Sequence, residues 1–178
     1  MPTIEISLKD LQSLVGKKIN LEEFSESIKA EIKQDEKNTD LFYVELKDIN
    51  RPDLWSAEGI AREIKIKLDT IQDYLVSNSN YFVKVDKKVV MRPIIACAVI
   101  KDIKLSEESI KQAVQLQEKL AELFGRKRKE ASIGIYDFDK IKWPVTYTTM
   151  PKDTKFIPLN FQKEMTLKEI LERHEKGI

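Results

Sequence analysis

The chain is poor in the residues from which catalytic and metal sites are usually built. Its 178 residues include one cysteine, one histidine and five glycines. A single cysteine excludes an intramolecular disulfide, and the apolar run around Cys97 predicts that this thiol is buried in a core. His174 lies near the C-terminus, where a solvated or helix-end role is expected. The shortage of histidine and cysteine predicts no zinc site and neither a Ser-His-Asp nor a Cys-His catalytic arrangement.

Glycine-rich phosphate loops are also missing. The glycines are scattered along the sequence and form neither a GxGxxG pattern nor a Walker lysine motif. We therefore expect this chain to bind no nucleotide cofactor by itself.

Two further absences concern charge and long apolar segments. The formal net charge is +1, from 31 basic and 30 acidic residues, so any contact with nucleic acid must come from a local patch. No segment approaches the length of a membrane span, and the N-terminus lacks the pattern of a secretory leader. These features predict a cytoplasmic protein with no membrane partner.

The first part of the chain predicts a small α+β arrangement. The predicted elements are a strand over 3–6, a helix capped by Ser7 that ends at Gly16, a second helix capped by Asn20 that runs to Ile32, a loop over 33–40 and a strand over 41–46. The segment Asn50-Arg51-Pro52-Asp53 then forms a loop, because Pro52 disfavours a helical conformation at Arg51. Asp53 is predicted to cap a helix that continues to about Leu68, with 69–76 extending it or starting another helix.

The polar run Ser77–Asn80 predicts a domain boundary, which divides the chain into 1–80 and 81–178. The second part predicts a hairpin over 81–85 and 89–91, a strand over 93–100, a helix from Ser106 to Gly125, strands over 131–136, 145–149 and 155–157, and a final helix capped by Thr166 and Glu169. The expected fold class is therefore α+β.

Four adjacent cations, Arg126, Lys127, Arg128 and Lys129, directly follow the longest predicted helix. Cations at this position are stabilised by the helix dipole, which is a sufficient structural explanation. The same run also suits contacts to RNA phosphates, since arginine binds them bidentately and lysine acts as a point charge. Both interpretations stay open on the sequence alone.

Other polar and aromatic candidates have simpler structural explanations. Trp55 and Trp143 are expected to be packing anchors, because neither has a second aromatic residue at a spacing that builds a stacking surface. Asp137 and Asp139 are expected to lie on a solvated turn.

The segment from Asn50 to Glu63, NRPDLWSAEGIARE, resembles the signature of the β subunit of phenylalanyl-tRNA synthetases of the archaeal and eukaryotic type. The resemblance continues in order through the sequences RP at 92–93, GRKRK at 125–129, IGIYDFD at 133–139 and FIPL at 156–159. It covers essentially the whole chain. The residues of the signature loop and helix that carry it are Asn50, Arg51, Pro52, Asp53, Glu58, Gly59 and Arg62.

The resemblance implies a small N-terminal α+β domain over 1–80, followed over 81–178 by the first, incomplete half of a mixed α/β editing-type domain. It further implies an α2β2 ligase that attaches phenylalanine to its tRNA using ATP and Mg²⁺, with aminoacylation in the α subunit. The implied partners are the α subunit and the tRNA for phenylalanine, not DNA. Neither the synthetic site nor the editing pocket is expected within the chain, so its own role is structural and tRNA-adjacent. A freestanding RNA-binding module and a trans-editing hydrolase of mischarged tRNA stay as alternatives.

Overall fold

A computed structural model of the chain describes residues 1–70, 75–159 and 161–174. The chain forms two compact units, one of Met1–Ser77 with Val99–Lys140 and the other of Asn78–Ala98 with Ile141–Ile178. The first break lies close to the predicted boundary at residue 80, but residues 99–140 return to the first unit. The division into family domains at residue 80 stays a prediction, and part of the expected element at 69–76 lies outside the described residues.

The first unit is built around a three-stranded antiparallel sheet in the order β1-β3-β2. The strands are β1 (Thr3–Ser7), β2 (Ala30–Gln34) and β3 (Leu41–Leu46). Helix α1 (Leu8–Val15) begins at Ser7, whose hydroxyl accepts the Asp10 N–H at 3.2 Å. It ends at Gly16, where φ is +89°, a conformation that favours glycine. The predictions of β1, α1 and β3 are confirmed.

The predicted helix from Asn20 to Ile32 is wrong beyond its first turn. Asn20 does cap a helical turn, but that turn is a 3₁₀ helix that spans only Leu21–Phe24. The chain then reverses through Lys29, which has φ +50°, and Ile32 enters β2 opposite Val44. Helical spacing fitted this segment, yet strand pairing placed the β-branched Ile32 against the sheet, because tertiary packing overrides local propensity.

Helix α2 (Ala57–Lys67) packs against α1 and completes one hydrophobic core. The strands β1 and β3 contribute to the same core, because every second residue along each strand is buried. The buried core residues are Ile4, Ile6, Leu11, Val15, Leu21, Ile28, Phe42, Val44, Leu46, Leu54, Trp55, Ala57, Ile60, Ala61 and Ile64. Trp55 is fully buried, so its predicted role as a packing anchor is confirmed.

Helix α3 (Glu107–Lys119) belongs to the same unit and continues into a π-helical turn, Leu120–Phe124. Ser106 and Ser109 cap each other's backbone N–H groups at its start, and the helical segment ends at Gly125 as predicted. The predicted strand over 131–136 is wrong. Those residues form no strand and are mostly exposed, since no neighbouring strand pairs with them.

The second unit contains two small two-stranded sheets. Strand β4 (Val83–Val85) pairs in parallel with β5 (Val145–Tyr147), and β6 (Lys155–Phe156) pairs antiparallel with β7 (Met165–Thr166). Helix α4 (Leu167–Arg173) begins at the predicted capping box of Thr166 and Glu169. The predicted hairpin is wrong, because the turn at Asp86 is present but the partner of β4 comes from a distant part of the sequence.

The apolar run over 93–100 forms no strand and is mostly exposed, so the predicted strand is also wrong. Cys97 is exposed rather than buried. A strand needs a partner for its backbone N–H and C=O groups, and the described residues supply none to this segment. Taken together, helices and small sheets confirm the α+β fold class.

Candidate functional site

The signature segment folds as a turn followed by a helix. Residues Pro52–Leu54 form a 3₁₀ turn, and α2 starts after Ser56, whose hydroxyl accepts the Gly59 N–H at 3.2 Å. Ser56, not Asp53, is therefore the helix cap, which corrects the prediction. The reason is spacing: the intervening 3₁₀ turn moves the cap of α2 by three residues, from Asp53 to Ser56.

Asp53 instead lies at the centre of a group of ion pairs. The Arg51 guanidinium donates to both carboxylate oxygens of Asp53, at 3.0 and 2.9 Å, and to Glu63 Oε2 at 3.1 Å. Arg62 Nη2 also contacts Asp53 Oδ2, at 3.3 Å. These contacts tie the turn to the outer face of α2, because Glu63 and Arg62 both lie on that helix.

The ion pairs shift the acid–base properties of the group. Hydrogen bonding from Arg51 lowers the pKa of Asp53, against a smaller opposing effect of burial, and Arg62 adds to the lowering. Hydrogen bonds to Asp53 and Glu63 raise the pKa of Arg51 further. Arg51 and Asp53 therefore stay charged at neutral pH, and their contacts with Arg62 and Glu63 indicate a structural role for the group.

Gly59 is required by the close approach of the same turn. A Cβ atom at this position would lie 1.6 Å from the backbone oxygen of Asp53 and 2.8 Å from its carbonyl carbon. Only glycine lets the Pro52–Leu54 turn rest directly on α2. The remaining signature residues, Asn50 and Glu58, are exposed.

Glu58 contributes to an acidic environment around Asp10. Burial raises the pKa of Asp10, and the negative charges of Glu58, Glu108 and Asp40 raise it further. Asp10, Glu58 and Glu108 each lie in the first turn of a helix. Carboxylates are favourable at such positions because they compensate the positive end of the helix dipole.

The basic run forms a tight left-handed turn rather than a link to a strand. Arg126, Lys127 and Arg128 have φ values of +48°, +55° and +64°. The N–H groups of Lys127 and Arg128 donate to the carbonyl oxygens of Glu122 and Ala121, at 3.0 and 2.9 Å. The run is thus folded back onto the last turn of the helical segment, whose carbonyl groups it satisfies.

The four side chains of the basic turn, Arg126–Lys129, differ in their surroundings. Arg128 is partly buried and pairs with Glu118 at 2.9 Å and Glu122 at 3.1 Å. Arg126 makes a long pair of 3.7 Å with Glu130. Lys127 and Lys129 are exposed, and within the described part of the chain neither forms an ion pair. The turn therefore presents Arg126, Lys127 and Lys129 outward, while Arg128 bridges two acidic residues.

Two glutamines of α3, which the sequence did not indicate, dock this helix on β1 and on the start of α2. Gln112 is buried; its amide oxygen accepts the Ala57 N–H at 3.1 Å, and its amide nitrogen donates to the Glu5 carbonyl at 2.8 Å. Gln115 accepts the Glu5 N–H at 2.7 Å and donates to Gln112 at 3.1 Å. A polar residue on the apolar side of a predicted helix was the available signal, but its partners Ala57 and Glu5 lie 55 and 107 residues away in sequence.

These contacts have a clear structural purpose. Strand β1 is at the edge of its sheet, and Glu5 points its backbone groups away from β3. The glutamine amides supply the hydrogen bonds that another strand would supply, and they cap the first turn of α2 as well. The position of α3, and so of the basic turn at its end, is fixed by this docking.

The remaining sequence candidates lie elsewhere. Trp143 is partly buried and packs its ring 5.1 Å from that of Tyr81, a pair that sequence spacing did not indicate. Asp137 and Asp139 lie on an exposed turn, as predicted, where Asp137 accepts the Asp139 N–H at 3.1 Å. His174 follows α4 with its ring 5.3 Å from that of Phe161. Within the described residues, no group of three or more His, Cys, Asp or Glu side chains could hold a metal ion.

No protein-family model matches the chain. None of the helices in the described ranges has the length and apolar character needed to cross a membrane.

Curated relatives match the chain over almost its full length. It is 46% identical over 186 aligned positions to the phenylalanine–tRNA ligase beta subunit of Thermococcus gammatolerans, covering 99% of this chain and 33% of the relative. The same subunit from Pyrococcus horikoshii is 45% identical, with 99% of this chain and 34% of the relative covered. That from Pyrobaculum aerophilum is 37% identical, with the same coverage of each. The chain spans about a third of the length of these relatives.

A solved structure gives the same result. The crystal structure of an N-terminal fragment of the phenylalanyl-tRNA synthetase beta-subunit from Pyrococcus horikoshii superposes with a TM-score of 0.87 at 44% identity, covering 99% of this chain and 53% of that one. The similarity in sequence and in fold therefore extends over almost the whole of this chain. The chain is thus homologous to beta subunits of phenylalanine–tRNA ligase, and it spans about a third of their length.

Proposed function

We propose that this chain is a non-catalytic, tRNA-contacting part of a phenylalanine–tRNA ligase, working in a cytoplasmic α2β2 assembly. In this proposal the α subunit carries out aminoacylation with ATP and Mg²⁺, while this chain supplies scaffold and RNA contact. The first part acts as the N-terminal domain, and residues 81–178 supply the start of an editing-type domain. The homology to ligase beta subunits supports this function over a freestanding RNA-binding or deacylating protein.

The observation that carries the RNA contact is the arrangement of the basic turn. Arg126, Lys127 and Lys129 point outward from a left-handed turn that hydrogen bonds hold rigidly to the helix end. Exposed cations on a fixed backbone favour phosphate binding, because few existing ion pairs must be broken before their side chains contact phosphate oxygens. The helix dipole accounts for cations at this position, and Arg128 is engaged by Glu118 and Glu122, but within the described residues neither Lys127 nor Lys129 forms an ion pair.

Salt dependence of tRNA binding tests this contact. Binding of a fluorescein-labelled tRNA transcript to the purified chain is measured by anisotropy over a series of KCl concentrations. The double change Lys127→Ala with Lys129→Ala should weaken binding. It should also reduce the magnitude of the negative slope of log K against log[salt] by about 1 to 2, because fewer counterions are released from the RNA when two phosphate contacts are absent.

The matched control is Lys87→Ala with Lys88→Ala, which removes the same charge from an exposed turn of the second unit. It should leave the slope near that of the unmodified chain. Equal slopes for the unmodified chain and the Lys127/Lys129 variant would contradict RNA contact by the basic turn.

A further inference from the structure

A small apolar cleft lies next to the basic turn. After Arg126–Lys129 the chain returns past Gly125, where an added Cβ would lie 2.0 Å from the Ala131 backbone oxygen and 2.8 Å from that of Ala121. Only glycine allows this close approach. Residues 131–133 are consequently held alongside the π-helical turn, and an open gap remains between the two segments.

The gap has the size and lining of a site for one flat ring. It measures about 160 Å³ and is lined by Leu120, Phe124, Ala131, Ser132 and Ile133, four of which have apolar side chains. An apolar cavity of about 150 Å³ holds a benzene molecule. Phe124 is one of the lining residues, and 57% of its surface is exposed to solvent.

The cations of the basic turn belong to the same short stretch of backbone. Arg126 N–H bonds to the Leu123 carbonyl at 3.2 Å, and Lys127 N–H bonds to the Glu122 carbonyl at 3.0 Å, one and two residues before Phe124. The aromatic wall and the outward cations are therefore fixed on one rigid element. Binding of an unpaired nucleotide requires a π face for the base and positive charge for its phosphates. An apolar site of the size of one ring, lined by Phe124 and followed by exposed cations, offers both.

We infer that Phe124 and the basic turn together bind an unpaired nucleotide of RNA, with the base on Phe124 in the cleft and the flanking phosphates on Lys127 and Lys129. This rests on the proposed function and specifies it, because it selects single-stranded RNA over duplex. A base inside a helix is stacked on its neighbours and cannot reach the Phe124 ring, so duplex RNA makes the phosphate contacts alone.

The test compares a short fluorescein-labelled single-stranded RNA with a duplex of the same sequence, each bound to the whole chain and measured by anisotropy. Phe124→Leu keeps an apolar wall but removes the aromatic face. We expect it to weaken single-strand binding about fivefold, near the lower end of the range for losing one stacked base, and to leave duplex binding unchanged. Phe124→Tyr, which keeps the ring face, should bind both RNAs as the unmodified chain does.

Phe82→Leu is the matched control, since Phe82 is 55% exposed and has a lysine, Lys84, 5.9 Å from its ring centroid, but it lies in the other unit. It should change neither affinity. The inference is overturned if Phe124→Leu leaves single-strand binding intact, as it would if the cleft received an apolar protein side chain instead. An equal loss for both RNAs also overturns it, because that result indicates a displaced turn.

The two proposals fail in different ways. Loss of binding with Lys127→Ala and Lys129→Ala, but no selective effect of Phe124→Leu, retains the RNA contact and removes the nucleotide site. No effect of the lysine changes on either RNA removes both.

Discussion

The two units of this chain use similar residue types but bury them to very different extents. In the first unit, isoleucine, valine and leucine from β1, β3, α1 and α2 form a continuous core, with Ile4, Val44 and Ile60 completely buried. In the described part of the second unit, only Val89 and Pro158 are buried, and isoleucines such as Ile94 and Ile157 are exposed. Apolar content alone therefore does not produce a core; the elements must be long enough to cover one another.

The difference follows from the strands. The first unit pairs strands of five and six residues in perfect register, so that alternate side chains form one apolar face that two helices can cover. The strands of the second unit have two or three residues each and lie in two separate sheets. Such short ladders present no face of comparable area, and a pair of strands is at best marginally stable by itself.

The largest expected effect tests this contrast directly. Ile60→Ala should lower the free energy of unfolding by about 2–5 kcal/mol, because it removes buried methyl groups and leaves a cavity. Ile157→Ala is the same chemical change at a side chain that is 56% exposed, and it should cost no more than about 0.5 kcal/mol. Urea titration followed by the fluorescence of Trp55 and Trp143, which lie in different units, measures both losses. Similar losses for the two variants would contradict the contrast in burial.

An intermediate effect is expected where α3 docks on β1 and α2. Gln112→Ala leaves the buried Ala57 N–H without its partner, while the Glu5 carbonyl keeps the Gln115 amide at 3.2 Å, and an unsatisfied buried group costs about 1–3 kcal/mol. Urea titration should show this loss, and hydrogen exchange should become faster at the Ala57 amide. Gln117→Ala, on the same helix but only partly buried, is the control. An unchanged Ala57 exchange rate would mean that Gln112 does not hold α2.

The smallest expected effect concerns the pH dependence of stability, and it compares one carboxylate from each unit. The pKa of Asp53 is lowered in the folded chain, so its charged form stabilises the fold above the ordinary value of 3.8, and this contribution is lost as pH falls through the lowered folded pKa. Asp53→Asn should therefore reduce stability at neutral pH by about 1 kcal/mol or less, given its partial exposure, and flatten the acid limb of the stability profile.

Asp86 in the second unit is the comparison, because its pKa is also lowered, mainly by the Lys88 backbone N–H and then by the Thr148 hydroxyl rather than by a guanidinium group. Asp86→Asn should change the acid limb less than Asp53→Asn does, as solvent screens its interactions. Urea midpoints measured from neutral pH down to pH 3 decide between them. A larger change for Asp86 would show that the ion pairs of the signature turn contribute little.

Local signals in the sequence identified the helix starts well. Ser7, Ser106 and Thr166 each cap the helix that the sequence predicted for them, since a cap depends on residues within one turn. The signature segment was also placed correctly on a loop and helix, but its cap was assigned to Asp53 instead of Ser56. The intervening 3₁₀ turn and the ion pairs to Arg62 and Glu63 could not be derived from residue order.

Of the candidate site, the sequence indicated four equivalent cations, whereas the structure distinguishes them. Arg128 turns back to Glu118 and Glu122, while Lys127 and Lys129 stay exposed. Phe124 and its cleft were not foreseen, because they arise where 131–133 passes Gly125.

By itself, the sequence determined the α+β class, the helix caps at Ser7, Ser106 and Thr166, the strands β1 and β3 and the resemblance to ligase beta subunits. These features depend on neighbouring residues and on side-chain periodicity. Only the tertiary structure decided that Ile32 joins a strand, that β4 pairs with β5, that Cys97 is exposed and that Gln112 completes the edge of β1. Each of these depends on which distant segment supplies a backbone hydrogen-bond partner or an apolar surface, and no local pattern contains that information.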